Sequence, residues 1–267
     1  MIELIEIFCK IKKNLVMLSK LVKIPLLKRA VPSLVLRILK IFKKNRGYFK
    51  IGKTKMFLDF LDPIDKKIIL NQEYEKLEIN YLLNKIKKNK ILNFIDVGAN
   101  CGYYSIYIAN NVPDIIIQSF EPNKEAFFKL KKTLEINPAL NDKINIYNCG
   151  LSNEAGKLKM QSMIKHGYSQ TGGSTIIGNN SFKNFDVYYA DFKIGDKIIN
   201  QNHNKIAIKI DVEGHEINVL NGLKNTLMKN KIIIQIEIFE INFQKVNNFL
   251  MSMGYRIILE IKKRSNY

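Results

Sequence analysis

From Ile91 onward, short runs of apolar residues alternate with stretches whose apolar positions recur every three to four residues. The runs ILNFIDV (91–97), IIIQSF (115–120) and INIYNC (144–149) read as strands, and the stretches 103–110 and 123–136 between them as amphipathic helices. After a gap the alternation resumes with IAIKIDV (206–212), a helix over 216–229, IIIQIEIF (232–239), a helix near 242–253 and YRIILEI (255–261). Strands apolar at nearly every position are buried on both faces, which is the signature of an open, mostly parallel sheet covered by helices. The pattern predicts an α/β fold.

The first 90 residues read differently. Leu4, Phe8, Ile11, Leu15, Leu18 and Val22 form one apolar stripe that Pro25 ends, and a second helical run, 33–44, carries Leu34, Ile38, Ile41 and Phe42. Residues 1–46 are therefore expected to form a basic, amphipathic helical extension and 47–90 an entry segment, with a helix near 73–88, to a catalytic domain over 91–267. The stripes suit a helix covering the core, an anionic membrane face or glycan-assembly machinery, or an acidic partner.

Charge sharpens this division. The chain of 267 residues has 43 Lys plus Arg against 24 Asp plus Glu, and most of the excess falls in the first 92 residues. Lysines at 10, 12, 13, 20 and 23 leave no apolar run of the ~20 residues a membrane-spanning helix requires. No secretory cleavage pattern follows them, so a cytoplasmic protein is expected, with peripheral contact at the inner face of a membrane. The cysteines at 9, 101 and 149 have neither zinc-ribbon nor CxxC spacing. A calculated pI near 9.7 raises nucleic-acid binding or modification as an alternative. Against it, the catalytic half has neither a D/N-P-P-Y segment nor a Pro-Cys nucleophile, and no nucleic-acid partner is expected.

In open α/β sheets ligands bind beyond the carboxyl ends of the strands. The first such end reads Asp96-Val97-Gly98-Ala99-Asn100-Cys101-Gly102, where two glycines allow a sharp turn into a helix whose amides face an anionic group. It is not the GxGxxG fingerprint, and no Walker lysine follows. The second strand ends at Glu121, about twenty residues on, where a carboxylate can accept both hydroxyl hydrogens of a ribose. The fourth ends in a crowd of ionisable groups: Lys209, Asp211, Glu213, His215 and Glu216, with Glu237 late in the next strand.

The segments FIDVGANCGYYS, FEPN and KIDVEGHE, in that order and separation, resemble the FkbM family of S-adenosylmethionine-dependent methyltransferases. The resemblance covers roughly residues 50–260. It implies a Rossmann-like, seven-stranded methyltransferase sheet with its last strand antiparallel, and O-methylation of sugars or related metabolites. It further implies that Asp96, Gly98, Asn100 and Gly102 line the methionine and ribose side of S-adenosylmethionine. Glu121 would hold the ribose hydroxyls with help from Asn123, and Asn148, Cys149 and Leu151 would flank the adenine.

A sugar hydroxyl is a poor nucleophile until it is deprotonated or bound to a metal, and Asp211 and His215 are the candidates for that task. They act either as an oriented histidine base or, with Glu237, as ligands of a divalent Mg, Mn or Fe ion. The acceptor expected is a nucleotide-linked sugar or a surface-glycan precursor. Residues 161–181, rich in Gly, Ser, Thr and Asn, are expected to be an inserted lid whose hydroxyls meet that acceptor, or else a loop without a binding role. A non-catalytic docking module on the same fold is a further alternative, disfavoured by the intact turn and Glu121.

Overall fold

The computed structural model describes residues 45–165, 168–177 and 184–261, so both helices predicted before residue 45 lie outside the described residues. The entry segment opens with an antiparallel hairpin, β1 (Arg46–Ile51) and β2 (Thr54–Asp59). Two helices follow, α1 (Pro63–Asn71) and α2 (Lys76–Asn89). Asp62 caps α1, accepting the amides of Ile64 and Asp65, and Pro63 occupies the first helical position, where its missing N–H costs nothing. FLDFLDP is thus a strand end and a helix cap in one.

The chain continues as β3 (Asn93–Val97), α3 (Tyr103–Asn111), β4 (Ile116–Phe120), α4 (Lys124–Glu135), the short α5 (Pro138–Asn141) and β5 (Ile144–Tyr147). Then come β6 (Gly150–Ser152), β7 (Gly156–Lys165), β8 (Tyr168–Ser169), β9 (Thr175–Ile176) and β10 (Phe185–Ile194). The last elements are β11 (Lys205–Ile210), α6 (Glu216–Gly222), α7 (Lys224–Lys229), β12 (Lys231–Ile236) and α8 (Glu240–Ser252).

Five strands make the parallel sheet, in the order β12-β11-β3-β4-β5. Its central strands carry the uniform burial their apolar runs require: every residue of β11 after Lys205 is buried, as are Phe94–Val97 of β3. One face packs on α2, α3 and the hairpin through Phe94, Ile117, Leu82 and Ile108. The other packs on α6, α7 and α8 through Ile208, Val219, Leu220 and Val246. Because β4 and β5 extend the sheet to one side of β3 and β11 and β12 to the other, a crevice opens where the order reverses.

Two expectations are corrected here. Among the described residues the parallel sheet has five strands where seven were expected: 255–261 forms no strand, with Ile257, Ile258 and Leu259 exposed after Gly254 (φ +84°), and no other described strand joins this sheet. A β-forming sequence without a paired neighbour has nothing to accept its ladder bonds. The helix expected over 216–229 is broken at Leu223 into α6 and α7. The 161–181 region contributes to a second, mostly antiparallel sheet in which β10 pairs with β6 and β7, and β7 with β8 and β9. No described helix is long and apolar enough to cross a membrane.

Candidate functional site

A cavity of about 490 Å³ opens at the carboxyl ends of β3, β4 and β11. The turn after β3 forms its floor. Gly98 and Gly102 stand at φ +81° and +82° and Asn100 at +50°, left-handed values that only glycine adopts freely and Asn tolerates better than most. The amides of Gly98 and Ala99 both donate to the Phe120 carbonyl, and that of Asp211 to the Val97 carbonyl, locking the turn between β4 and β11. A Cβ on Gly98 would run into the Asp211 carbonyl oxygen. Gly98→Ala is therefore expected to lower stability by at least about 1–2 kcal/mol through the backbone alone, as read by urea unfolding.

Glu121 forms the adjoining wall. Its Oε2 accepts the Asn100 amide at 2.7 Å and its Oε1 the Asn123 amide at 2.8 Å. Burial pushes its carboxyl up to about 7 despite those two bonds. A carboxylate oxygen has two lone-pair directions, so each retains one for a further donor.

The end of β11 supplies the rest. Lys209 donates to Asp211 Oδ2 at 3.0 Å and lies 4.8 Å from the ring centre of Tyr104. Its burial works against the charge, but Asp211, Asp96 and Glu75 outweigh it and hold the ammonium above its ordinary range. His215 places Nε2 2.9 Å from Ser152 Oγ and its ring edge-on to Phe192, and burial keeps it below its usual pKa. Glu213 occupies a left-handed position (φ +50°) in the same turn; burial and the neighbouring Asp211, Glu237 and Glu216 push its carboxyl up to about 7.

Of the residues singled out in the sequence, Gly98, Asn100, Glu121, Leu151, Lys209, Asp211, Glu213, His215 and Glu237 line this cavity together. The others support it from behind. Asp96 is fully buried beneath the turn, accepting Ser105 Oγ at 2.6 Å, and Gly102 packs against Leu130. Asn123 caps α4 through Oδ1 and donates Nδ2 to the Tyr188 hydroxyl at 2.9 Å, while Asn148 donates to the Glu121 carbonyl. Cys149 is a buried free thiol whose pKa burial pushes up.

The metal centre expected from Asp211, His215 and Glu237 is not assembled: among the described residues no group of three or more His, Cys, Asp or Glu is placed to hold an ion. Asp211 Oδ2 pairs with Lys209 and His215 Nε2 with Ser152 Oγ. Sequence reading missed Tyr74, Tyr104, Glu75, Met160 and Phe192, which also line the cavity, whereas Thr171 lies in the 161–181 segment expected as a lid. Only the Tyr-Tyr pair directly after Gly102 carried a local signal, since the first turn of a helix at a strand end faces the crevice.

Residues 96–257, more than half of the chain, match the model of the Methyltransferase FkbM domain. The chain belongs to that family. The FkbM resemblance carried by the three segments is thereby established, and the segments of the match surround the cavity. Among curated proteins, the chain is 28% identical over 172 residues to Methyltransferase sdnD of Sordaria araneosa, covering 52% of this chain and 64% of that protein. It is 26% identical over 163 residues to the Hexuronic acid methyltransferase AglP of Haloferax volcanii, covering 59% and 60%. The chain thus spans less than two thirds of either relative. The crystal structure of Methyltransferase FkbM from Methylobacillus flagellatus KT aligns with a TM-score of 0.46 at 15% identity, over 70% of this chain and 46% of that one.

Proposed function

We propose that this FkbM-domain chain transfers a methyl group from S-adenosylmethionine to a hydroxyl of a sugar, carried on a nucleotide or a glycan precursor. The observation that carries the reading is Glu121, a buried carboxylate at the second strand end, each of its oxygens fixed by one backbone amide and able to accept one ribose hydroxyl. The surrounding residues fit the donor. The Gly98–Gly102 turn keeps side chains from crowding the ribose and methionine, and Leu151 and Phe192 supply an apolar wall for the adenine. Asp211, Glu213 and Glu237 give the cavity the negative surroundings a sulfonium cation requires. When bound, S-adenosylmethionine supplies an activated methyl group, and the chain's work is alignment and proton management. The sugar class draws support from the hexuronic acid methyltransferase among the relatives.

Asp211 and His215, expected to activate the acceptor, hold the end of β11 in shape through Lys209 and Ser152. Glu213 takes the hydroxyl proton. A carboxyl at about 7 is half ionised near neutrality, where a general base works best. Raised above the ordinary carboxylate range, it is protonated and unable to accept below that pH. Because Glu121 titrates in the same range in the free protein, the readout is kcat at saturating donor, where the ribose hydroxyls hold Glu121 ionised; it is expected to fall about tenfold per pH unit below about 7 and to level above it. Glu213→Gln removes that limb and lowers the plateau by about 10²–10⁴-fold; an unchanged profile would move the base elsewhere.

The reading itself is tested with methyl-labelled S-adenosylmethionine and three acceptors: a neutral hexose, a hexuronate and a nucleotide sugar. Label on an acceptor oxygen, with S-adenosylhomocysteine formed only when an acceptor is present, is expected. Label on nitrogen or on none of the three overturns the sugar-hydroxyl assignment.

A further inference from the structure

The segment from Gln170 to Ser174 is a strap between β8 and β9 whose Thr171, Gly172, Gly173 and Ser174 line the cavity. Its hydroxyls are not left for an acceptor. Ser174 Oγ meets Ser162 Oγ at 2.7 Å and accepts from Asn123 Nδ2, while Thr171, 8% exposed, turns inward. There the Thr171 amide and hydroxyl both donate to Asp62 Oδ2, at 2.9 and 2.7 Å, and its Oγ1 accepts from Lys129 Nζ at 3.0 Å. The same Oγ1 lies 3.1 Å from Oδ1 of the Asn100 side-chain amide, in the turn that floors the cavity.

A hydroxyl has one hydrogen and two lone pairs. The hydrogen belongs to the charged and nearer Asp62, and one lone pair to Lys129. No hydrogen is then left for Asn100 Oδ1, and the contact is satisfied when that amide is turned over, O for N, to present its NH₂ to the second lone pair, which fixes the side chain in one orientation and frees its carbonyl oxygen. The backbone amide of the same Asn100 holds Glu121 Oε2 at 2.7 Å. One side chain thus connects the cap of α1, the ammonium on α4, the strap and the turn. Packing favours the same seat: a Cβ on Gly172 would strike Ile64 of α1, so the strap backbone lies directly on that helix.

We propose that Thr171 is a positioning residue of the donor site, fixing Asn100, and through it the carboxylate of Glu121, from the strap that lines the cavity. Nothing in the FkbM match or in the relatives assigns this role, and it rests on the reading that the cavity takes an S-adenosyl group. An ion pair and a strap buried against a ligand turn act as specifying elements, since the polar partners admit one arrangement where apolar ones would admit several.

The test is calorimetric titration of S-adenosylhomocysteine into the wild type, T171V, T171S, N100A and the double variant T171V/N100A, each checked for folding by circular dichroism. T171V keeps the shape and the amide bond to Asp62 but loses the hydroxyl. It is expected to weaken binding about 10- to 100-fold, with T171S within about threefold of the wild type. Because Thr171 acts through Asn100, the double variant is expected to bind no worse than N100A alone. Should T171V fail to fold, T171C, whose thiol is a weak partner, carries the same comparison. T171V binding within twofold of the wild type, or a double variant whose loss is the product of the two single losses, overturns the inference while leaving the donor reading intact. A wild type that binds no S-adenosylhomocysteine removes the donor reading itself.

Discussion

Lys129→Met is expected to destabilise the protein by about 3–5 kcal/mol, because it leaves two buried carboxylates without their cation. Lys129, 4% exposed, donates to Asp65 Oδ2 at 2.7 Å and lies 3.6 Å from Asp62 Oδ2, with Asp65 fully buried and Asp62 at 4%. Burial opposes the charge of both acids. Lys129 and the Thr171 bonds nevertheless hold Asp62 below the ordinary carboxylate range, whereas Asp65 is pushed up to about 6. The two therefore have opposite linkage. The stability Asp62 contributes is present above its unfolded pKa and lost as pH falls through its lower folded value; that of Asp65 is present at low pH and lost as pH rises through about 6. Without the ammonium, protonation relieves the site, so the Lys129→Met deficit is expected to be largest above pH about 7 and to shrink toward pH about 5. Urea unfolding at both pH values measures this. A deficit under about 1 kcal/mol at neutral pH would show that the cluster is solvated.

Glu121→Ala is expected to weaken S-adenosylhomocysteine binding by about 10- to 150-fold, the loss of charged hydrogen bonds at a buried acceptor. Glu121→Gln is not a conservative repair, since its amide nitrogen would face either the Asn100 or the Asn123 N–H, two donors confronting each other. Both variants are expected to lose affinity, Gln by the smaller margin. Calorimetry compares them directly, and Glu121→Gln binding as tightly as the wild type would mean that no ligand hydroxyl depends on the carboxylate.

The parallel sheet was legible because its strands are apolar on both faces and its helices are periodic, two patterns that local sequence carries. β3, β4, β5, β11 and β12 fall within a few residues of the expected runs. The sheet built by β6, β7 and β10 was not. Its strands are half-exposed and mixed in character, as in KLKMQSMIK and DVYYADFKI, so the pairing of Phe192 with Gly150 reflects tertiary contact rather than pattern. For 255–261 the failure runs the other way, since high β-propensity alone does not make a strand. In the site, the placement of Glu121 beside the glycine turn was readable from spacing, because neighbouring strands of a parallel sheet end side by side at the crevice. The seat of Thr171 on Asp62, 109 positions away in sequence, was not. Nor was the role of Lys129, one lysine among many in a lysine-rich chain, which only its burial distinguishes.

The central claim is that the crevice between β3 and β11 holds an S-adenosyl group with its ribose on Glu121. A crystal structure of the wild-type protein with S-adenosylhomocysteine tests it most directly. The expected result is a ribose whose two hydroxyls both lie within hydrogen-bond distance of the Glu121 carboxylate, with the adenine against Leu151 and Phe192. A ligand bound outside the cavity, or one whose ribose makes no contact with Glu121, would contradict it.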